Sequence, residues 1–140
     1  QRGLYTLGAR IKVHSNNALQ IAEKLDGCEG VEKVNYPGLQ KNEFHKKALD
    51  QMDLFGGMIS FFVTDQVDLM KIADHLDLFK LAVSFGGVES LLEIPAFMTH
   101  ERADGTDAAV ESNLVRLSAG LEDPEDLIEE LLEAMSGCLK

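Results

Sequence analysis

The sequence has few basic residues and no long hydrophobic run. Thirteen lysines and arginines stand against 24 aspartates and glutamates in 140 residues, so the net charge is −11. Nucleic-acid binding depends on phosphate neutralisation by Lys and Arg, and anionic membrane surfaces attract basic segments, so we expect neither partner. No apolar stretch approaches the roughly 20 residues that a membrane helix needs. The first residues, 1–10, also lack the apolar core of a signal peptide.

Catalytic and metal-binding motifs are equally scarce. Cys28 and Cys138 stand far apart, and no two histidines have the spacing of three or four residues that a helical metal site uses. The sequence contains no Gly-x-Ser-x-Gly elbow and no Walker loop. One disulfide could form, but nothing points to secretion, so we predict reduced thiols in a cytoplasmic protein. A start at Gln1 instead of methionine predicts a cut or processed product.

The chain has the length of one domain, and its 45% hydrophobic content is enough for a core. One strong helix is predicted near each end of the chain. Apolar residues spaced by three and four from Leu4 to Leu25 predict a long amphipathic helix that ends at Gly27. On this stripe His14 is predicted to be packed and hydrogen-bonded. A second helix is predicted after Asp123, which can cap it, with Pro124 at its first position.

Shorter elements are predicted between these helices. They are strands at 31–36, 58–63, 79–85 and 113–119, helices at 44–52 and after a cap at Asp65, and one helical turn at 88–92. The strand at 58–63 is apolar almost throughout, which predicts cover on both faces. The stretch 94–112 is interpreted as a surface loop with a linker-like part at 101–110. The fold class predicted is α+β, with a small, mostly antiparallel sheet and helices on one face.

Two places could bind a ligand. The segment 84–90 (SFGGVES) follows a predicted strand, and its glycines allow a tight turn that brings N–H groups near a ligand, although the pattern favours an ordinary turn. Arg116 lies in mid-strand, on the side opposite Val115 and Leu117. Its guanidinium needs a partner, either a carboxylate of the chain or a ligand carboxylate held by two hydrogen bonds. The pattern favours the internal ion pair.

Five segments resemble the C-terminal domain of the pyridoxal-phosphate enzymes of cysteine and methionine metabolism. This family includes cystathionine synthases and lyases, methionine gamma-lyase and homoserine-ester sulfhydrylases. The segments are RGLYTLGARIKVHSNNALQIA, VEKVNYPGL, QMDLFGGMISF, SFGGVESLLEIPAFMTH and LVRLSAGLEDPEDL. The segments follow one another in this order, and the resemblance as a whole covers essentially all 140 residues. The resemblance implies that residues 1–140 are the single small C-terminal domain of a fold-type I enzyme, whose large cofactor-binding domain is absent from this chain.

The resemblance also implies roles for single residues. Arg116 corresponds to the arginine that pairs with the substrate α-carboxylate, which reverses the preference drawn from the pattern. Ser84 corresponds to a serine near the catalytic lysine, and the backbone at Phe85 would help to hold the same carboxylate. Val83 stands where substrate preference is partly set, and a valine there resembles methionine gamma-lyases more than cystathionine lyases. No lysine of this chain matches the cofactor lysine, so we expect no catalytic, cofactor-binding or metal-binding residue.

The function that this resemblance implies is substrate binding in an enzyme that cleaves or replaces carbon–sulfur bonds of sulfur amino acids. Pyridoxal phosphate would be bound by the missing large domain, the parent would be a homotetramer, and this chain alone would be inactive. Two alternatives remain open: one subunit of a split enzyme whose partner chain carries the lysine, and a non-catalytic amino-acid-sensing regulatory module. The apolar stripe of the first helix is expected to pack partly against the large domain, so the isolated chain should associate.

Overall fold

The long helix predicted near the start of the chain is present, with one break. In the computed structural model, which describes residues 1–98 and 110–140, helix α1 (Arg2–Tyr5) leads through Thr6 into helix α2 (Leu7–Leu25). Gly27 follows at a φ of +95°, a left-handed conformation that favours glycine and ends the helix as predicted. No helix in the described part of the chain is both long and apolar enough to cross a membrane.

Five strands form one sheet with the order β1-β2-β5-β4-β3. Their bounds are β1 Val31–Asn35, β2 Met58–Val63, β3 Lys80–Leu81, β4 Leu91–Glu93 and β5 Leu114–Ser118. The pairs β1–β2, β2–β5 and β4–β5 are antiparallel, whereas β3 runs parallel to β4. The pairing of β1 with β2 is irregular between Val31 and Lys33. The predicted small, mostly antiparallel sheet is therefore confirmed.

The core lies where one face of the sheet meets helices α2 and α5 (Pro124–Gly137). The predicted start of α5 is confirmed, since Asp123 Oδ1 accepts a hydrogen bond of 2.9 Å from the N–H of Glu125 and Pro124 is the first helical residue. Alternate strand residues and apolar helix residues are buried together; they include Ile59, Phe61, Val115, Leu117, Leu92, Ala18, Ile21, Leu127 and Leu131. The other face of β2 is only half-buried. The prediction that both faces of this strand are covered is therefore correct for one face only.

The helix predicted after Asp65 and the loop predicted at 94–112 both differ from the prediction. The helix predicted after Asp65 is a 3-10 helix, Leu69–His75, and Asp68 caps it by accepting from the N–H of Met70 at 3.3 Å. Asp65 cannot start this helix because the following residues are held by the C-terminus: the N–H of Asp68 donates to the carbonyl of Cys138 at 2.8 Å. The stretch interpreted as a surface loop begins with helix α4 (Pro95–Met98), and its linker-like part lies almost wholly at 99–109, outside the described residues.

The region between 79 and 93 differs most from the prediction. The strand expected at 79–85 shrinks to Lys80–Leu81, because the chain beyond Ala82 leaves the sheet and turns at Gly86, whose φ is +75°. The helical turn expected at 88–92 is absent, since Leu91–Glu93 pair with β5 as strand β4. By contrast, the predicted helix at 44–52 is confirmed as α3 (His45–Gln51).

We expect Phe61→Ala to lower the free energy of unfolding of the chain by about 3–5 kcal/mol, measured by urea denaturation. Phe61 is 0% exposed in the middle of β2, so truncation leaves a cavity between the sheet and the helices. The control is Phe44→Ala, since Phe44 is 59% exposed and its removal should change the free energy by no more than about 0.5 kcal/mol. Equal losses in both variants would contradict this description of the core.

Candidate functional site

Arg116 occupies the middle strand of the sheet, on the face turned away from α2 and α5. Its neighbours in the register are Ser60 on β2 and Glu93 on β4. Val115 and Leu117, on either side of it along the chain, are fully buried in the core. The alternation predicted for this strand is thus confirmed, and it places the guanidinium on the sheet face that the two long helices leave free.

The guanidinium of Arg116 forms an ion pair with the carboxylate of Glu93 through Nη2. The Glu93 side chain is 3% exposed, whereas that of Arg116 is 36% exposed. The internal ion pair favoured by the sequence pattern therefore exists. Because a guanidinium carries five N–H groups and this one is partly open to solvent, the pair leaves donors that can reach a second carboxylate.

The glycine-rich segment 84–87 lies beside Arg116 and is fixed to the same strand. The N–H of Gly86 donates to Ser118 Oγ at 3.2 Å. Ser118 is two residues from Arg116 and on the same face of β5, a separation of roughly 7 Å along a strand. The structure thus brings together the two places that the sequence analysis singled out.

Helix α2 holds the other side of this segment. Arg10 Nε donates to the carbonyl of Gly86 at 3.3 Å, and His14 Nε2 lies 2.9 Å from the carbonyl oxygen of Gly87. His14 is only 2% exposed, so the prediction of a packed, hydrogen-bonded histidine is confirmed. The two contacts tie the turn at Gly86 to the first half of the helix.

The half-buried carboxylate of Glu122 fixes the end of the segment. Glu122 accepts hydrogen bonds from the N–H of Ser90 at 2.7 Å and from its hydroxyl at 2.8 Å. Ser90 Oγ in turn accepts from the N–H of Gly120 at 2.8 Å, and Asn17 Nδ2 donates to the carbonyl oxygens of Gly120 and Glu122. A Cβ at Gly120 would lie 2.5 Å from the carbonyl oxygen of Val88, so only glycine allows this close approach.

The predicted site residues of the segment are open to solvent. Val83 is 50% exposed, Phe85 is 70% exposed, and Ser84 is also exposed. They lie on one side of a sheet and not in a closed pocket. Glu93 and Glu122, which hold Arg116 and the end of the segment, were not predicted from the sequence, and Ser90 was named only as the last residue of the segment 84–90. For Glu93 a signal existed, since it is the one charged residue in the apolar run Leu91–Ile94.

Comparison with known proteins identifies the family of the chain. A model of the Cys/Met metabolism PLP-dependent enzyme family matches residues 1–136, and the chain belongs to this family. Cystathionine beta-lyase of Lactococcus lactis subsp. cremoris is 46% identical over 138 residues, which are 96% of this chain and 36% of that protein. Cystathionine gamma-synthase of Mycobacterium leprae (strain TN) is 42% identical over 136 residues, 96% of this chain and 35% of that protein.

A solved relative shares the fold as well. The crystal structure of cystathionine gamma-lyase from Lactobacillus plantarum, complexed with L-serine, superposes with a TM-score of 0.89 at 38% identity. The superposition covers 99% of this chain and 37% of that one. The resemblance stated from the sequence is confirmed, and the chain spans little more than a third of the length of these relatives.

Among residues 1–98 and 110–140, the side chains do not fit a covalent site for pyridoxal phosphate, the cofactor of the family. All nine lysines are exposed, whereas a lysine that holds the cofactor covalently would be enclosed in its site. Burial raises the pKa of the thiols of Cys28 and Cys138, which are both unpaired, and so keeps them protonated and poorly nucleophilic. No cluster of metal-ligating side chains occurs among residues 1–98 and 110–140. The cofactor belongs mainly to the part of the enzyme that this chain does not contain.

We expect Ser90→Ala to lower the free energy of unfolding by about 1–3 kcal/mol, because it leaves the buried N–H of Gly120 without its acceptor. Hydrogen exchange at the N–H of Leu121, which donates to the carbonyl of Val88 at 2.9 Å, should become faster as the segment loosens. The matched control is Ser84→Ala, an exposed serine of the same segment, with a change of no more than about 0.5 kcal/mol. An unchanged stability of the Ser90 variant would show that this network does not hold the segment.

Proposed function

We propose that this chain is the small C-terminal domain of a pyridoxal-phosphate-dependent enzyme that acts on sulfur amino acids, and that it binds the substrate α-carboxylate. The observation that carries the proposal is the half-open guanidinium of Arg116 beside the segment 84–87, on the face of the sheet that α2 and α5 do not cover. The relative complexed with L-serine, an α-amino acid, supports this choice of ligand.

Each residue has a separate part in this proposal. Arg116 donates two parallel hydrogen bonds to the carboxylate, for which its planar guanidinium is suited. The backbone N–H of Phe85 adds a donor, and Ser84 lines the same side of the substrate. Val83, half exposed next to them, contacts the substrate side chain and contributes to substrate preference. Bond cleavage is carried out by the cofactor and the parts of the enzyme that hold it.

The remainder of the enzyme is proposed to cover the apolar surface at the start of the chain. Leu4, Tyr5 and Leu7 are 73%, 83% and 44% exposed, although the sequence pattern places them on the stripe that is buried further along α2. Such a surface is typical of contact with another domain or subunit. The large domain, supplied by the same polypeptide or by a partner chain, is the occupant that we propose, in a parent enzyme that is a cytoplasmic homotetramer.

The relatives described above include a beta-lyase, a gamma-lyase and a gamma-synthase, so the proposal extends to both cleavage and replacement at the carbon–sulfur bond. No contact in the described residues, and none of these three relatives, supports the alternative of an amino-acid-sensing regulatory module.

The isolated chain should neither retain pyridoxal phosphate nor cleave substrate. After incubation with the cofactor and gel filtration, we expect no visible absorption to elute with the protein, since every lysine is exposed. We also expect L-cystathionine cleavage no faster than with free cofactor. Retained visible absorption together with sustained cleavage would contradict the proposal that the large domain is required.

Arg116→Leu, in the complete enzyme that joins this chain to the large domain, should raise the KM for L-cystathionine and the Kd for L-serine by roughly 100-fold or more. Loss of two charge-assisted hydrogen bonds, each worth about 1.5–3 kcal/mol, explains this magnitude. Lys71→Met serves as the control, because it removes an exposed positive charge that is distant in sequence from Arg116. This variant should change neither the KM for L-cystathionine nor the Kd for L-serine. Intact catalysis with a lost response to an amino-acid effector would instead favour the sensing module.

A further inference from the structure

We propose that Glu93 is a positioning residue, whose buried carboxylate holds the guanidinium of Arg116 in the orientation that receives the substrate α-carboxylate. The inference rests on the function proposed above and deepens it. It assigns a role to a residue that does not itself touch the substrate, and it explains why the ion pair and the substrate-binding role of Arg116 are compatible.

The register of the sheet places the two residues opposite each other. Glu93 on β4 and Arg116 on β5 are directly paired in the antiparallel ladder, and their side chains share the face that α2 and α5 leave free. Side chains at such paired positions are close enough to interact without any movement of the backbone. The position of the carboxylate is thus set by the sheet and not by a mobile loop.

Burial makes the two partners unequal. The Glu93 side chain is 3% exposed and the Arg116 side chain is 36% exposed, so the carboxylate is the fixed partner and the guanidinium extends towards solvent. A buried carboxylate needs a charged or hydrogen-bonding partner, and Arg116 Nη2 is one such partner. The contact uses one end of the guanidinium, which leaves its other N–H groups for a ligand.

This contact restricts a flexible side chain before the substrate arrives. A free arginine has four side-chain torsions and loses about 2 kcal/mol of rotamer entropy when it is immobilised. An arginine that is already held at one nitrogen loses less of that freedom on binding, and a pre-organised site binds more tightly for this reason. The negative charge of Glu93 acts in the opposite sense, because it repels the incoming carboxylate.

Paired variants separate the positioning effect from this repulsion. Glu93→Gln and Glu93→Leu both remove the charge, but only glutamine keeps an oxygen that can accept from Arg116. In the complete enzyme we expect the Leu variant to bind L-serine about 10-fold more weakly than the Gln variant. Binding is measured by the change in visible absorption of the bound cofactor. L-serinamide, which lacks the carboxylate, should bind the two variants equally.

A second pair keeps the charge constant and protects the test if the Leu variant does not fold. Glu93→Asp retains the carboxylate but withdraws it by one methylene, so it should bind L-serine several-fold more weakly than the parent enzyme, with L-serinamide unaffected. Glu111→Gln, at an exposed glutamate that precedes β5 in the sequence, is the control for the loss of a carboxylate and should change the affinity for neither L-serine nor L-serinamide.

Three outcomes would overturn the inference. Equal L-serine affinity in the Gln and Leu variants, with Asp equal to the parent, would show that the orientation of Arg116 does not depend on Glu93. Equal weakening of L-serine and L-serinamide would show a general structural effect instead of a carboxylate-specific one. If Arg116→Leu leaves the L-serine affinity unchanged, the proposed function itself fails. If Arg116→Leu weakens L-serine binding but the Glu93 variants do not, only the positioning role is rejected.

Discussion

The register of strand β5 is the constraint on which the site depends. Its residues alternate between the apolar core, with Val115 and Leu117, and the face that α2 and α5 do not cover, with Arg116 and Ser118. A slip of one residue would exchange the two sets and place a guanidinium among the helices. The apolar core and the polar face therefore stabilise the same register, and Arg116 is held in place by residues that never contact a ligand.

Around this strand the site is assembled from parts of the chain that are far apart in sequence. Helix α2 contributes Arg10 and His14, the segment 84–90 contributes the turn at Gly86, and the connection to α5 contributes Glu122. All of these contacts lie within one domain. The contacts that hold Arg116 and the segment 84–90 therefore do not depend on any other part of the enzyme.

The sequence was sufficient for the elements with strong local signals. Helical spacing and Gly27 identified α2, the Asp123–Pro124 pair identified the start of α5, and alternation identified β5. The sequence was insufficient for β4. Leu91–Glu93 is only three residues long, too short to show the alternation of a strand, and it is a strand because it pairs with β5. The short run at β3 was overestimated for the same reason, since hydrogen bonds to distant elements turn the chain away from the sheet.

The candidate site divides in the same way. Arg116 and the segment 84–87 could be named from residue type and position, and the family resemblance gave them roles that the proposed experiments examine. Glu93, Ser90 and Glu122 could not be placed, because each meets its partner across 23 to 32 residues of sequence. Local patterns show which groups are available, whereas partners at such distances are defined only by the folded sheet.

The two borders of the sheet have a consequence for how copies of the chain meet. One border is β3, which has only two residues, and the other is β1, which is irregular between Val31 and Lys33 and carries exposed charges at Glu32 and Lys33. Short, bulged or charged borders give an incoming strand few backbone groups to pair with. If isolated chains associate, we therefore expect the contact to form through the apolar helix surface and not by extension of the sheet into a fibrillar aggregate.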